Sequence, residues 1–355
     1  MLNRGQGPCF CYAINGYAKR VSEYLKEREL LVSPEKSTVT LFTPDTKEYK
    51  IHPQVQLDGK VVDLCHTPKL LGVTFDTLYT FSPHVNISTD KAKSKVNLLK
   101  MVAGSDWGQN KEIIETTYKA IGRSLLEYAI PIWSPIISKT SWSKLQTIQN
   151  QAMRIATGCH AMSPIDHLHR ETKMLPVKDH GDLLTKQFLL NCYLPGHPGN
   201  KFSDTPANQR NLKPNILKLR DEIQEYLPIT DKKNLRQKMT SIHTKAVNDT
   251  INNYAPSKVL DCTPPSVHNS EKELSRNART KLSQLRSGYS RLLNSYNNRI
   301  DENIPNICPN CGATPHDTNH LFNCRSNPTE LTVFSLWTRP KLAAEFLKLD
   351  DNGVT

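Results

Sequence analysis

Apolar residues recur at helical spacing along most of this chain, and the period changes only near its start. Ile14, Tyr17, Val21, Tyr24 and Leu25 mark an opening helix over Tyr12 to Leu31, stopped by Val32-Ser-Pro34. Short β-branched runs follow. Ser37 to Phe42 is one, Val55-Gln-Leu57 and Lys60-Val-Val62 flank the hairpin dipeptide Asp58-Gly59, and Leu70 to Phe75 is a further apolar run. A helix packed on a small antiparallel sheet is therefore expected over 1–84. From Ser88 onward the pattern is helical. Ile114, Tyr118, Ile121, Leu125 and Tyr128 form one stripe, ending at Pro131, and Trp142, Leu145, Ile148, Ala152 and Ile155 form another, ending at Gly158. Ser163-Pro164 predicts an N-cap with proline at the first helical position, and Leu183 to Tyr193 completes an antiparallel bundle over 85–200.

Pro195 to Asn200 and the polar stretch to Asn211 read as a linker. Ile216, Leu219, Ile223 and Leu227, then Leu235, Met239, Ile242 and Ala246, predict two further helices within 201–270. Cys262-Thr-Pro-Pro-Ser266 is the next break. Over 271–355 the stripe Leu274, Ala278, Leu282, Leu285 continues through Tyr289, Leu292 and Tyr296, with Gly288 placed to split it into two helices. The expected class is α+β, mostly α-helical.

A length of 355 residues allows two or three units, each with its own core. The formal net charge of +12 favours an anionic partner such as nucleic acid, because neutralising phosphates releases condensed counterions. No uncharged apolar run approaches the roughly 20 residues of a membrane span, and the first eight residues lack the apolar core of a signal peptide. An intracellular chain without a membrane partner is expected, in nucleus or cytoplasm. The nine cysteines, odd in number and scattered, suit reduced thiols plus a local metal site better than a disulfide framework.

That local site is Cys308-Pro-Asn-Cys311 followed by His320 and Cys324, the pattern Cys-X2-Cys-X8-His-X3-Cys. Two thiolates two residues apart form a hook for tetrahedral Zn²⁺, and His320 and Cys324 can meet it from one helical turn. Gly312 relieves the turn behind the hook. His316 is the alternative imidazole, and reduced cysteines beside a histidine are the plain alternative to a metal site. Four protein ligands leave no open position, so the zinc would be structural. Phe322 and Leu321 are placed either to stack on a base or to form the small core beside the metal.

Between Glu271 and Asn298, Lys272, Arg276, Arg279, Lys281, Arg286 and Arg291 oppose only Glu271 and Glu273. This predicts a basic helical face suited to phosphate contacts, or a solvated helix surface. Lys91, Lys93, Lys95 and Lys100 make a second basic helix. Phosphate loops, nucleophile elbows and His-Glu-X-X-His are absent from the sequence. Cys159-His160 and His167-X-His169 are polar pairs at helix ends, expected to cap or to face solvent.

Val32-Ser-Pro-Glu-Lys36-Ser-Thr-Val-Thr-Leu-Phe42 and Thr67-Pro-Lys69-Leu-Leu-Gly72-Val-Thr-Phe-Asp76 resemble the end of the reverse-transcriptase palm of a non-LTR retrotransposon. Ser124 to Tyr128 with Ile132-Trp133, Leu145 to Gly158, Leu168 to Pro176 and Leu285 to Tyr296 resemble, in the same order, later parts of jockey-like polyproteins. The resemblance implies a palm remnant over 1–84, a helical thumb and connector over 85–200, a helical linker region over 201–270, and basic helices with a zinc module over 271–355. It places Lys36 near an incoming nucleotide and Leu71-Gly72 in a primer-grip hairpin. It also implies metal-binding carboxylates ahead of Tyr12, yet none of the eleven residues there is acidic, and the only Asp-Asp pair is Asp350-Asp351 in the polar tail.

The expectation is thus a truncated RNA-directed DNA polymerase without its catalytic carboxylates, in which Lys36, Leu71 and Gly72 are vestigial. Mg²⁺ would enter only with a complete palm upstream. Residual binding of RNA or an RNA–DNA hybrid is expected through the zinc module, with a full-length reverse transcriptase as a possible partner. The alternatives are a protein-interaction fragment, a pseudogene product without activity, or one part of a longer active enzyme.

Overall fold

Short runs between prolines cannot build a broad sheet, since proline breaks the ladder by lacking an N–H. The computed structural model describes residues 7–104, 108–200 and 214–349. Most of the expected linker after Asn200, and the Asp350-Asp351 pair, lie outside the described residues. The chain divides into two units, one of the described residues up to Ile87 with Ile136–Ser141, the other of Ser88–Pro135 and the described residues from Trp142 onward.

The first unit opens with α1 (Gly7–Lys26). Its strands number six, each of two residues: β1 Thr38–Val39, β2 Gln56–Leu57, β3 Lys60–Val61, β4 Asp63–Leu64, β5 Lys69–Leu70 and β6 Val73–Thr74. They form three separate ladders instead of one antiparallel sheet, with β1 parallel to β4, and β2–β3 and β5–β6 antiparallel. Asp58 and Gly59 adopt φ of 48° and 78°, which a tight hairpin of this hand requires. The run Leu70 to Phe75 is not a single strand. It folds back at Leu71 and Gly72, with φ of 46° and 88°, because glycine accepts the left-handed conformation at the turn. Asn15 ties α1 to this region, donating to the Gln54 carbonyl at 3.1 Å and accepting from the Gln56 N–H at 2.8 Å. The apolar stripe of α1 does not pack as expected: Tyr17, Val21 and Tyr24 are all more than half exposed, whereas Ser22 is buried.

The second unit takes most of α2 (Ser82–Val102), which buries Ala92, Val96 and Leu99 and exposes its lysines. In α3 (Lys111–Tyr118), Ile114 and Tyr118 are buried, and a π-turn over Lys119–Arg123 follows. The extra residue in that turn shifts the inward face, so Gly122, Arg123 and Leu126 are buried while Tyr128 of the expected stripe is exposed. Gly122 lies flat on the Tyr118 ring, where a Cβ would stand 2.7 Å from it. The helix α4 (Lys139–Thr157) buries Trp142, Leu145, Ile148 and Ala152 as the stripe predicts, and Gly158 ends it at φ 71°. Ser163 does not cap α5 (Ile165–Thr172); its hydroxyl instead meets that of Ser287 at 3.1 Å. Helices α6 (Val177–Cys192), α7 (Pro214–Ile223) and α8 (Lys232–Asn252) enclose a cluster of Leu183, Leu190, Ile223, Leu235 and Ile242.

The helix α9 (Arg276–Ser287) begins at Ser275, whose hydroxyl accepts the Ala278 N–H, and stops at Gly288 with φ 75°. Gly288 therefore separates it from α10 (Asn294–Ile300) as the pattern predicts. Ala278, Leu282, Leu285, Tyr289, Leu293 and Tyr296 share a core with Phe322, Leu336, Trp337 and Ala343.

One ion network fastens α9 to its neighbours. Arg286 is fully buried, donates to Glu171 at 3.1 Å and to Glu271, and gives two further hydrogen bonds to the Leu336 carbonyl at 2.9 and 2.7 Å. Lys111 reaches Glu171 at 3.5 Å and Glu271 at 3.7 Å, and Arg279 pairs with Glu112. Burial alone would push the Glu171 carboxyl up, but Arg286 and Lys111 outweigh it and hold the group well below the usual carboxylate range. Glu115 stands nearby on α3, where Lys111 and Lys119 do not offset its burial. It is buried, its Oε1 lacks a hydrogen-bond partner, and burial pushes its carboxyl up to about 7.

Two outcomes follow for stability. Arg286→Met leaves Glu171 and Glu271 buried with only Lys111, and Arg279 at 3.8 Å from Glu271, beside them, and urea unfolding of the full chain should show a loss of about 3–5 kcal/mol. Glu115 binds its proton more tightly folded than unfolded, so its contribution to stability is fully present below pH 4.5, the unfolded value, and is lost as pH rises through 7. Glu115→Gln should therefore flatten the pH dependence of unfolding and be more stable than the parent at pH 8, by up to about 2–3 kcal/mol.

Candidate metal centre and basic surfaces

Thiols form a metal site only where the backbone brings them together, and here a glycine turn and a helix cap do so. The Gly312 N–H bonds the Cys308 carbonyl at 2.9 Å, and the Cys308 N–H bonds that of Ala313 at 2.8 Å, which closes the hook. Gly312 has φ of 70°, so the hook needs a residue without a Cβ at this turn. The second pair rides on α11 (Thr318–Asn323), where the Asp317 carboxylate caps the helix by accepting the His320 N–H at 2.9 Å. His320 thus projects from the helix and Cys324 from its C-terminal end.

The four ligand atoms of Cys308, Cys311, His320 and Cys324 all lie within 4.8 Å of one another. Cys308 and Cys324 sulfurs stand 3.9 Å apart, and the Cys311 sulfur is 3.3 Å from His320 Nε2. Tetrahedral Zn²⁺ with Zn–S bonds of about 2.3 Å demands sulfurs about 3.8 Å apart, so the spacing suits this ion and is far too long for a disulfide. Burial works against ionising Cys308, but the backbone N–H groups of Asn310 and Cys311, helped by His320, bring its pKa down to about 6. A thiolate at neutral pH is what a metal ligand requires.

His316, the alternative imidazole, is occupied elsewhere. It is buried, its Nδ1 accepts the Asn294 N–H at 3.0 Å, and its carbonyl accepts the Ser295 N–H at 3.1 Å, so it links α10 to the hook. Phe322 is buried against Phe346 in the core and is not offered to a base. Thr318 anchors α11 to α9 through the Leu285 carbonyl at 3.0 Å.

The six basic positions predicted as one face separate. Arg276, Arg279 and Arg286 are buried: Arg276 donates to the carbonyls of Ile155 and Ala156, and the other two belong to the ion network. Lys281 is half-buried, and Lys272 and Arg291 are exposed. A phosphate can reach the last two but not the three guanidiniums. The cause is that each arginine follows the apolar stripe closely enough to be carried inward, where a carboxylate or a helix-end carbonyl awaits it. Lys91, Lys93, Lys95 and Lys100 on α2 all face solvent. Of the positions expected to be vestigial palm residues, Lys36 is exposed on the turn Pro34–Lys36 and Leu71-Gly72 forms the β5–β6 turn. His160, His167 and His169 are structural, and burial lowers the pKa of each: His160 stacks on Tyr296, His167 contacts the Ser283 carbonyl at 3.0 Å, and His169 the Met174 carbonyl at 2.7 Å.

Sequence reading did not single out Glu171 as a partner of Arg286, nor Lys258 and Arg299, which meet at Tyr289. Lone charges carry no periodic signal.

Comparison with known proteins finds relatives for part of the chain. "Probable RNA-directed DNA polymerase from transposon BS" of Drosophila melanogaster is 26% identical over 163 residues, 46% of this chain and 18% of that protein. "Probable RNA-directed DNA polymerase from transposon X-element" of the same organism is 28% identical over 166 residues, 47% of this chain and 18% of that protein. The match therefore spans less than a fifth of the length of these curated relatives. No protein-family model matches the chain. No solved structure matches it.

Native mass spectrometry of the full chain should show one zinc per chain, lost in Cys311→Ser and in His320→Ala but kept in His316→Ala. Loss of zinc in the His316 variant alone would reassign the fourth ligand.

Proposed function

We propose that this chain, related to the RNA-directed DNA polymerases of non-LTR transposons, is a reverse-transcriptase fragment that binds nucleic acid and performs no polymerisation by itself. The observation that carries the reading is the convergence of Cys308, Cys311, His320 and Cys324 in a chain of net charge +12 with this kinship. A structural zinc there would hold the hook and α11 against α9, stiffening the surface around them. The lysines of α2 suit a thumb helix along a template–primer duplex, and Lys272 and Arg291 are further exposed cations. The substrate class is RNA or an RNA–DNA hybrid.

In this reading 1–84 is a palm remnant, 85–200 a thumb and connector, 201–270 a helical linker region and 271–355 the zinc module. Lys36, Leu71 and Gly72 are vestigial because phosphoryl transfer needs carboxylate-held Mg²⁺ to neutralise developing charge. The Cys/His cluster is the only metal-competent group of His, Cys, Asp or Glu found among the described residues. No helix among them is long and apolar enough to cross a membrane. The exposed Tyr12, Tyr17, Val21 and Tyr24 of α1 favour a second reading, a protein-interaction fragment that engages a full-length reverse transcriptase.

Titration of the full chain with an RNA oligomer and an RNA–DNA hybrid at several salt concentrations tests the first reading. Log affinity should fall linearly with log salt, by roughly 0.7–0.9 per phosphate contacted, and Cys311→Ser should weaken binding along with zinc content. Absence of binding at low salt would leave the interaction reading.

A further inference from the structure

Two exposed cations converge on one phenol beside the metal hook, and neither pairs with an acid among the described residues. Lys258 Nζ donates to the Tyr289 hydroxyl oxygen at 2.6 Å, and Arg299 Nη1 donates to the same oxygen at 3.4 Å. Both cations also lie over the ring, at 4.6 and 5.5 Å from its centroid. Lys258, Arg291 and Arg299 are exposed, and none of them pairs with a carboxylate among the described residues. The contrast with Arg279 and Arg286 is direct, since those arginines have their acids.

The pair is held in place from both sides. Tyr289, between α9 and α10, packs edge-on against Tyr296 of α10, itself stacked on His160 of the α4–α5 connection. Arg299 sits in the last turn of α10, whose Asn294 and Asn298 each donate to the segment leading into the hook, at the Ile307 and Ile304 carbonyls, both at 2.7 Å. Asn319 of α11 reaches the Val259 carbonyl at 3.4 Å, next to Lys258. A phenol that accepts from two cations must aim its own proton at a further acceptor, so the site offers three convergent donors to one anion.

We propose that Lys258, Arg299 and Tyr289 form a phosphate-binding site on the wall of the zinc module, flanked by Arg291, and that it receives a backbone phosphate of the bound nucleic acid. The donor set is independent of the six positions read from sequence, Arg291 excepted. Hydrogen bonding from Lys258 holds the Tyr289 phenol below its ordinary pKa, as a surplus of positive charge at this spot requires. The source of the phosphate rests on the nucleic-acid reading above; the anion site itself does not.

The test uses the full zinc-loaded chain, as parent, as Lys258→Ala/Arg299→Ala and as Tyr289→Phe, with inorganic phosphate and an RNA oligomer titrated separately. Thermal melting of each variant checks folding, which the loss of two exposed cations should leave unchanged. The double variant should bind RNA about tenfold more weakly near 0.1 M salt, with a log–log slope smaller by about 0.7–0.9, the release expected for one phosphate contact. It should lose most of its affinity for inorganic phosphate, and Tyr289→Phe should show a smaller loss with the slope kept. Phosphate binding that the double variant loses, without any RNA binding by the parent, would uphold the anion site and sink its assignment to nucleic acid. RNA binding by the parent with an unaltered slope in the double variant would overturn the site and leave the broader reading standing. Neither ligand bound by the parent would overturn both.

Discussion

Arg286 is the constraint on which the second unit depends. A guanidinium cannot be left alone in a core, since the charge must be matched and every N–H given an acceptor. Matching it recruits Glu171 from α5 and Glu271 from the turn before α9, and satisfying its remaining donors takes the Leu336 carbonyl. Segments distant in sequence thereby acquire one register. Lys111 adds α3 to the same arrangement, so that a helix early in the unit and one near its end share a pair of carboxylates.

The metal hook is arranged by the same helix. Thr318 bonds the Leu285 carbonyl one residue before Arg286, and Phe322 joins the core lined by α9. The Cys/His hook is therefore not a free knuckle on a tether: it is held against α9, and α9 is held by buried charge.

The helices of the second unit were legible where apolar spacing was unbroken. Trp142 to Ala152 is buried as its period demands, and Gly158 and Gly288 stop helices because only glycine adopts their φ cheaply. The convergence of Cys308, Cys311, His320 and Cys324 was legible because Cys-X2-Cys with a trailing His-X3-Cys is a local pattern that needs no tertiary knowledge. What failed had a tertiary cause. The arginines of α9 looked like a solvated face because the carboxylates and carbonyls that receive them lie outside that helix, and the Ile114–Tyr128 stripe slipped because a π-turn has no signature in periodicity. The first unit was misjudged in another way: proline spacing cut the expected sheet into two-residue ladders, and the stripe of α1 found no cover among them.

That π-turn makes the segment after α3 sensitive to length as well as to chemistry. Each residue of an α-helix advances the side-chain direction by about 100°. The single added residue between Lys119 and Arg123 is what turns Arg123 and Leu126 inward. Deleting one position there would leave a regular helix that still turns Leu126 inward, whereas straightening the turn at its present length would carry Leu125 to the core in its place. The glycine seated on the Tyr118 ring marks where the extra residue is taken up.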